Sequence, residues 1–122
     1  MYDITEYRTY LKFQKSKRYL KYMKSKYPNQ DLHHILGSIH SLKFTDYLIV
    51  PIDHAHHLNV VEPHKAVWFD RYFEDAMVHL QWWAYVELEI PYSENCKLLP
   101  NFEPQTVAKF IEYIYQTEGV KK

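Results

Sequence analysis

Cysteine is nearly absent: Cys96 is the single thiol in 122 residues. One thiol excludes an internal disulfide and any zinc site built on cysteine pairs, and it fits a reducing compartment. Also missing is a run of about 18 apolar residues, the length a helix needs to span a bilayer. The opening stretch MYDITEYRTYLKFQKSKRY has neither the apolar core nor the small-residue cleavage site of a secretory signal. Together these absences predict a cytoplasmic protein with no membrane segment. Net charge is missing too, 15 Lys and Arg balancing 15 Asp and Glu. No internal repeat or low-complexity linker interrupts the chain, and its length suits one domain over residues 1–122. At 47% hydrophobic and 17% aromatic residues, the composition supports a folded core.

The zero net charge conceals an asymmetry. Residues 1–27 carry Arg8, Lys12, Lys15, Lys17, Arg18, Lys21, Lys24 and Lys26 against Asp3 and Glu6, eight cations to two anions and so +6, which leaves the remainder at −6. A basic segment on a neutral protein points to an acidic partner, most commonly nucleic acid; a solvated helix face is the alternative. The same segment holds Tyr2, Tyr7, Tyr10, Tyr19, Tyr22 and Tyr27. Tyrosines among cations suit a nucleic-acid surface, whereas tyrosines at helical spacing pack against a core. The histidines are equally uneven: all eight (His33, His34, His40, His54, His56, His57, His64 and His79) lie between positions 33 and 79.

Residues 4–26 contain no Pro or Gly, and Tyr7, Leu11, Leu20, Met23 and Tyr27 recur near helical spacing, which predicts one long basic helix ending at Pro28. DLHHILG then reads as a short strand stopped by Gly37, followed by a loop over residues 38–45. DYLIVPI (residues 46–52) is rich in β-branched and aromatic residues and predicts a second strand, with Pro51 at a strand end or edge. Asp53 caps a helix through HAHHLNV, and Pro63 is expected to break it. A further helix over residues 64–90 is stopped by Pro91, and residues 91–104 form a loop. A last helix over residues 105–118 carries the stripe Val107, Phe110, Ile111 and Ile114, with Gly119 as its cap. Trp82, Trp83, Phe69, Tyr72 and Phe73 read as core or interface aromatics rather than base-stacking platforms. His40 and His79 read as surface or packing residues, and Glu74 with Asp75 as a solvated pair.

Neutral imidazole binds zinc and related ions, and histidine also titrates where a hydrolytic base must. Neighbours on a strand point to opposite faces, so His33 and His34 take different roles. Asp31 shares the face of His33, where it either ligates or orients a ligand. From the helix, His57 or His56, together with His54, reaches the same cleft, since His54 and His57 are three apart on one face.

The run DLHHILG, followed by LKFTDYLIVPIDHAHH, resembles the HNH (ββα-metal) nuclease signature. It is similar to phage recombination-associated HNH proteins, in which a double histidine precedes a Lys-x-Ser/Thr-Asp segment. There a Val-Pro-Leu strand end leads to a second double histidine. The resemblance spans residues 31–64. It implies a hairpin-plus-helix core, which the elements read above place between a basic N-terminal helix and C-terminal helices, an α+β fold that is mostly helical. It implies one divalent ion (Mg2+, Mn2+ or Zn2+) on His33 and His57, with Asp31 and His54 as further donors and His64 where relatives carry another histidine. His34 is then the general base, and Lys43 and Asp46 match the spacer, Asp46 stabilising the loop. The implied partner is DNA, with a recombinase or other phage protein as a second partner and the host cytoplasm as the location. Lys43 lies in the matched spacer, and the charge of the basic segment, outside the resemblance, adds Lys12, Lys15, Lys17, Arg18, Lys21 and Lys24 as DNA contacts. The chain departs from the pattern in lacking flanking cysteine pairs and in having Tyr47 or Leu48 where the middle asparagine falls. Its glycine-rich loop is reduced to Gly37. Two other classes fit the same residues: a catalytically silent DNA-binding or recombination-accessory protein, and a small helical interaction protein with a structural ion.

Overall fold

The computed structural model describes residues 4–11, 16–36 and 46–120. The fold is α+β and mostly helical, with two helices before a two-stranded hairpin and the rest of the helical chain after it. Among the described residues no helix is long and apolar enough to cross a membrane.

The expected single basic helix is instead two, α1 (Ile4–Leu11) and α2 (Lys17–Lys26). Ser16 supplies the reason for the second start. Its backbone is extended (φ −136°, ψ 112°), and its Oγ accepts from the Tyr19 N–H at 2.9 Å, a serine N-cap that satisfies one of the donors a helix start leaves free. The cap is itself held from afar. Buried Glu118 accepts from Ser16 Oγ at 2.7 Å, from the Arg18 N–H at 3.2 Å and from the Tyr47 hydroxyl at 2.6 Å.

Strand β1 (Asp31–His34) pairs antiparallel with β2 (Ile49–Ile52), matching Asp31 with Ile52 and His33 with Val50. Strand β2 begins three residues later than expected, after a turn that carries Asp46 and Tyr47. Pro51 is tolerated because a two-stranded ladder leaves each strand an edge. Asp53 caps the next segment as expected, its carboxylate accepting from the His56 N–H at 3.2 Å. Pro63 does not break the chain here. The helix α3 (His54–His56) widens into a π turn (His57–Val61), tightens to a 3-10 turn (Glu62–His64) and runs into α4 (Lys65–Glu87).

Helix α4 stops before Pro91, with Glu89 in the left-handed region (φ 58°) and the Ile90 N–H returning to the Ala84 carbonyl at 3.1 Å. The predicted loop over residues 91–104 instead holds α5 (Tyr92–Leu98), which starts directly after Pro91. Its sequence YSENCKL carries little apolar periodicity. Buried Asn95 fixes it through a hydrogen bond to the Ile90 carbonyl at 3.2 Å. Helix α6 (Pro104–Val120) buries Val107, Phe110, Ile111 and Ile114 as the stripe predicts.

The core forms where these helices meet α4. Tyr7 lies 5.5 Å from Phe69 and 4.9 Å from Phe73 between ring centroids, and its hydroxyl donates to the Phe102 carbonyl. Tyr19 packs 4.9 Å from Trp83 and stacks on Tyr47 at 6.2 Å. Each such buried aromatic or aliphatic side chain contributes about 1.5–3 kcal/mol of transfer free energy. Tyr19, Tyr7, Trp83, Phe69 and Phe73 are therefore core residues. Trp82, 43% exposed, lies outside the core, which leaves it only the interface half of that expectation.

Candidate metal centre

The alternation of β1 places Asp31 and His33 on one face, and both meet His57 from the π turn. His57 Nδ1 donates to Asp31 Oδ2 at 2.8 Å, and the same oxygen accepts from His54 Nδ1 at 2.7 Å. These two hydrogen bonds, His57 first, hold the Asp31 carboxyl below the usual range. On the other side of the ring, His57 Nε2 lies 2.8 Å from Glu62 Oε1 and 3.2 Å from His33 Nδ1. The donor atoms of His33, His57 and Glu62 all fall within 4.8 Å of one another.

Donor atoms drawn this close share either a hydrogen, as in an ordinary hydrogen bond, or a metal ion. Donors bound at 2.0–2.1 Å to a tetrahedral ion stand about 3.3 Å apart, the edge of that tetrahedron, and the 2.8 and 3.2 Å separations approach that spacing. His33 is in the right form to ligate: burial, then the neighbouring His57, lowers its pKa to about 4, so it is neutral near pH 7. A lone pair at Nδ1 leaves its proton on Nε2, which is buried and has no protein partner among the described residues. Glu62 is pushed up by burial and pulled further down by Lys65, whose Nζ donates to Oε2 at 2.9 Å.

Glu62 is absent from the residues the sequence singled out, and its position explains why. It follows His57 by five residues, a spacing that puts two side chains on different sides of an α-helix. Here the Glu62 N–H bonds to the His57 carbonyl, the wide i to i+5 closure of a π turn, which brings positions 57 and 62 together.

The other expected residues are placed differently. Asp31 and His54 belong to the network, joined to His57 through one carboxylate oxygen. His56, the alternative to His57, is engaged elsewhere, 3.1 Å from the Tyr72 hydroxyl and edge-on to Trp68. His64 is exposed ahead of α4 and outside the donor group. His34, across β1 from His33, pairs through Nε2 with Oδ1 of buried Asp46 at 2.7 Å, so Asp46 grips the imidazole expected to act as base. Lys17, Arg18, Lys21 and Lys24 all lie on α2, where the Arg18 guanidinium also donates to the Glu118 carbonyl at 3.2 Å. Lys12, Lys15, Lys43, His40 and Gly37 lie outside the described residues. His79 is a packing residue, edge-on to Tyr27 at 5.7 Å. No protein-family model matches the chain, nor does any curated protein or solved structure.

Proposed function

We propose that this chain is a divalent-metal-dependent nuclease of the HNH type acting on DNA phosphodiester bonds. His33, His57 and Glu62 hold the ion and His34 is the general base. One observation carries the reading: one donor atom from each of His33, His57 and Glu62 lies within 4.8 Å of the other two, with His57 Nε2 3.2 Å from His33 Nδ1 and 2.8 Å from Glu62 Oε1. Two imidazoles and one carboxylate, with a position left open, form the donor set of hydrolytic zinc centres. Imidazole donors favour zinc or another first-row transition ion over Mg2+, which prefers oxygen ligands. In this reading Asp31 keeps the proton on His57 Nδ1 and so presents Nε2 to the ion, the carboxylate–histidine–metal relay common in such centres.

The ion supplies positive charge for the phosphate and the departing oxygen. The rest is done by side chains. Asp46 accepts from His34 Nε2–H, which leaves the His34 lone pair on Nδ1, the atom that takes a proton from water. The water oxygen bonds to phosphorus as the P–O3′ bond breaks, and the 3′ oxygen leaves with a proton from solvent. The products carry a 5′-phosphate and a 3′-hydroxyl. The lysines of α2 engage the DNA backbone, and a recombinase or other phage protein is a second partner.

Plasmid nicking with added Zn2+, Mn2+ or Mg2+ tests the reading. His34→Ala should cut about 10²- to 10⁴-fold more slowly, the usual contribution of a general base, while still binding DNA. Cutting by that variant at the wild-type rate would remove His34 from the chemistry. A second reading has its own support, because the donors join β1 to the segment after β2 and His33 is buried, as in a structural clip. If no ion supports nicking and chelation unfolds the protein, the ion is structural. Salt-sensitive DNA binding without nicking points instead to a silent accessory protein.

A further inference from the structure

Away from the histidine network, α4 turns an apolar face to solvent. Val78, Trp82, Tyr85 and Val86 are 61%, 43%, 43% and 43% exposed, and they follow the three- and four-residue spacing of one helical side. Tyr92 of α5, 45% exposed, stacks on Tyr85 at 4.4 Å and lies 6.1 Å from Trp82. Solvated helices ordinarily place charge at such positions.

The charge comes from α2. Its ten residues include Lys17, Arg18, Lys21, Lys24 and Lys26 and no carboxylate. Lys26 stands among the rings, its Nζ 5.7 Å from the centroids of Tyr22 and Tyr27 and 6.0 Å from that of Trp82. Two open clefts share this lysine. One runs past Arg18, Lys21 and Trp83, with Glu87 as its one acidic wall, and the other past Tyr27, Trp82 and Tyr92.

From this arrangement we infer that the α2–α4–α5 surface binds single-stranded nucleic acid, the lysines contacting phosphates and Trp82, Tyr85 and Tyr92 stacking unpaired bases. Lysine is depleted at protein interfaces, so a lysine among the rings of Tyr22, Tyr27 and Trp82 beside the patch argues against a protein partner. Duplex binding would use the cations but not the rings, because paired bases hide their faces. Rings interleaved with cations are what a flexible strand with exposed bases requires. The inference shares the nucleic-acid partner of the nuclease reading but uses none of the histidine network, so either can fail alone.

The test is fluorescence anisotropy of the full chain with a labelled oligo-dT of about 16 nucleotides and with the same strand paired to oligo-dA. Single strands should bind more tightly than duplex. Trp82→Ala should weaken single-strand binding about 10-fold or more, the usual effect of losing one stacked base. Lys26→Gln should weaken binding and flatten its salt dependence, by about one phosphate contact. Trp82 and Lys26 are exposed, so circular dichroism should show both variants folded. Binding is measured without added divalent ion, so that its outcome is independent of the loading of the metal centre. Equal affinity for both forms, or an unchanged Trp82→Ala, would overturn the proposal. So would sedimentation showing self-association that Trp82→Ala abolishes, because the rings would then belong to a contact between copies.

Discussion

At the scale of single residues, the candidate centre turns on how His57 is held. One nitrogen faces Asp31 and the other faces Glu62 and His33, so the ring cannot rotate without losing a carboxylate. Asp31→Asn keeps the shape of that acceptor and removes its charge. The expected result is zinc affinity about 10- to 100-fold lower, the usual effect of removing such an orienting carboxylate, measured by competition with a chromophoric chelator. Unchanged affinity would mean that Asp31 merely decorates the strand. Much of this was legible in the sequence. Period-two alternation puts Asp31 and His33 on one face, and three-residue spacing joins His54 with His57; the structure brings all four side chains together. Glu62 was illegible because no α-helical spacing connects it to His57. His64 sits close in sequence but stays exposed, since the last turn before α4 directs it elsewhere.

At the scale of elements, the unread feature is the wide turn, and Pro63 accounts for it. Proline has no N–H for the carbonyl four residues earlier, and its ring crowds that carbonyl, here that of Asn59. The chain relieves the conflict by opening one turn rather than by ending, which is why a break was expected and a π turn is found. Pro63→Ala should let residues 54–64 close into regular α-helix, carrying Glu62 around the helix from His57. The fold should survive and zinc affinity should fall. A calorimetric titration giving wild-type affinity would show that the turn does not depend on the proline. Two other differences come from hydrogen bonds that no local pattern reveals. Residues 4–26 read as one helix because no Pro or Gly interrupts them, yet Ser16 caps a new start using Glu118, about 100 residues away in sequence. Helix α5 is under two turns long, and its anchor is one buried amide side chain rather than an apolar stripe.

At the scale of the whole molecule, Glu118 draws distant parts of the chain together. From α6 it reaches the cap of α2 and the hydroxyl of Tyr47 just before β2, so three elements share one carboxylate. Glu118→Ala leaves the buried Ser16 and Tyr47 hydroxyls without their acceptor. It should cost about 2–4 kcal/mol, from hydrogen bonds to a charged group lost in a buried setting. Urea unfolding should show a lower midpoint at the same slope; a midpoint within error of wild type would mean that water replaces the carboxylate at no cost. The mostly helical α+β character and the stripe of α6 followed from periodicity, which is local. How the basic segment docks did not, because its partners arrive from the far end of the chain.

The His33–His57 link has a further thermodynamic consequence. The two residues are 24 apart, so an ion gripped by both would close a loop much as a disulfide does, in a chain whose one cysteine can form none within itself. Unlike a disulfide, this staple comes and goes with supply. At free ion a hundredfold above its dissociation constant, mass action would add about 2.7 kcal/mol to the folded state. Scarcity of the ion would then loosen the same hairpin that carries the imidazoles, making the protein's persistence a gauge of its metal ration whether or not it ever cuts a strand.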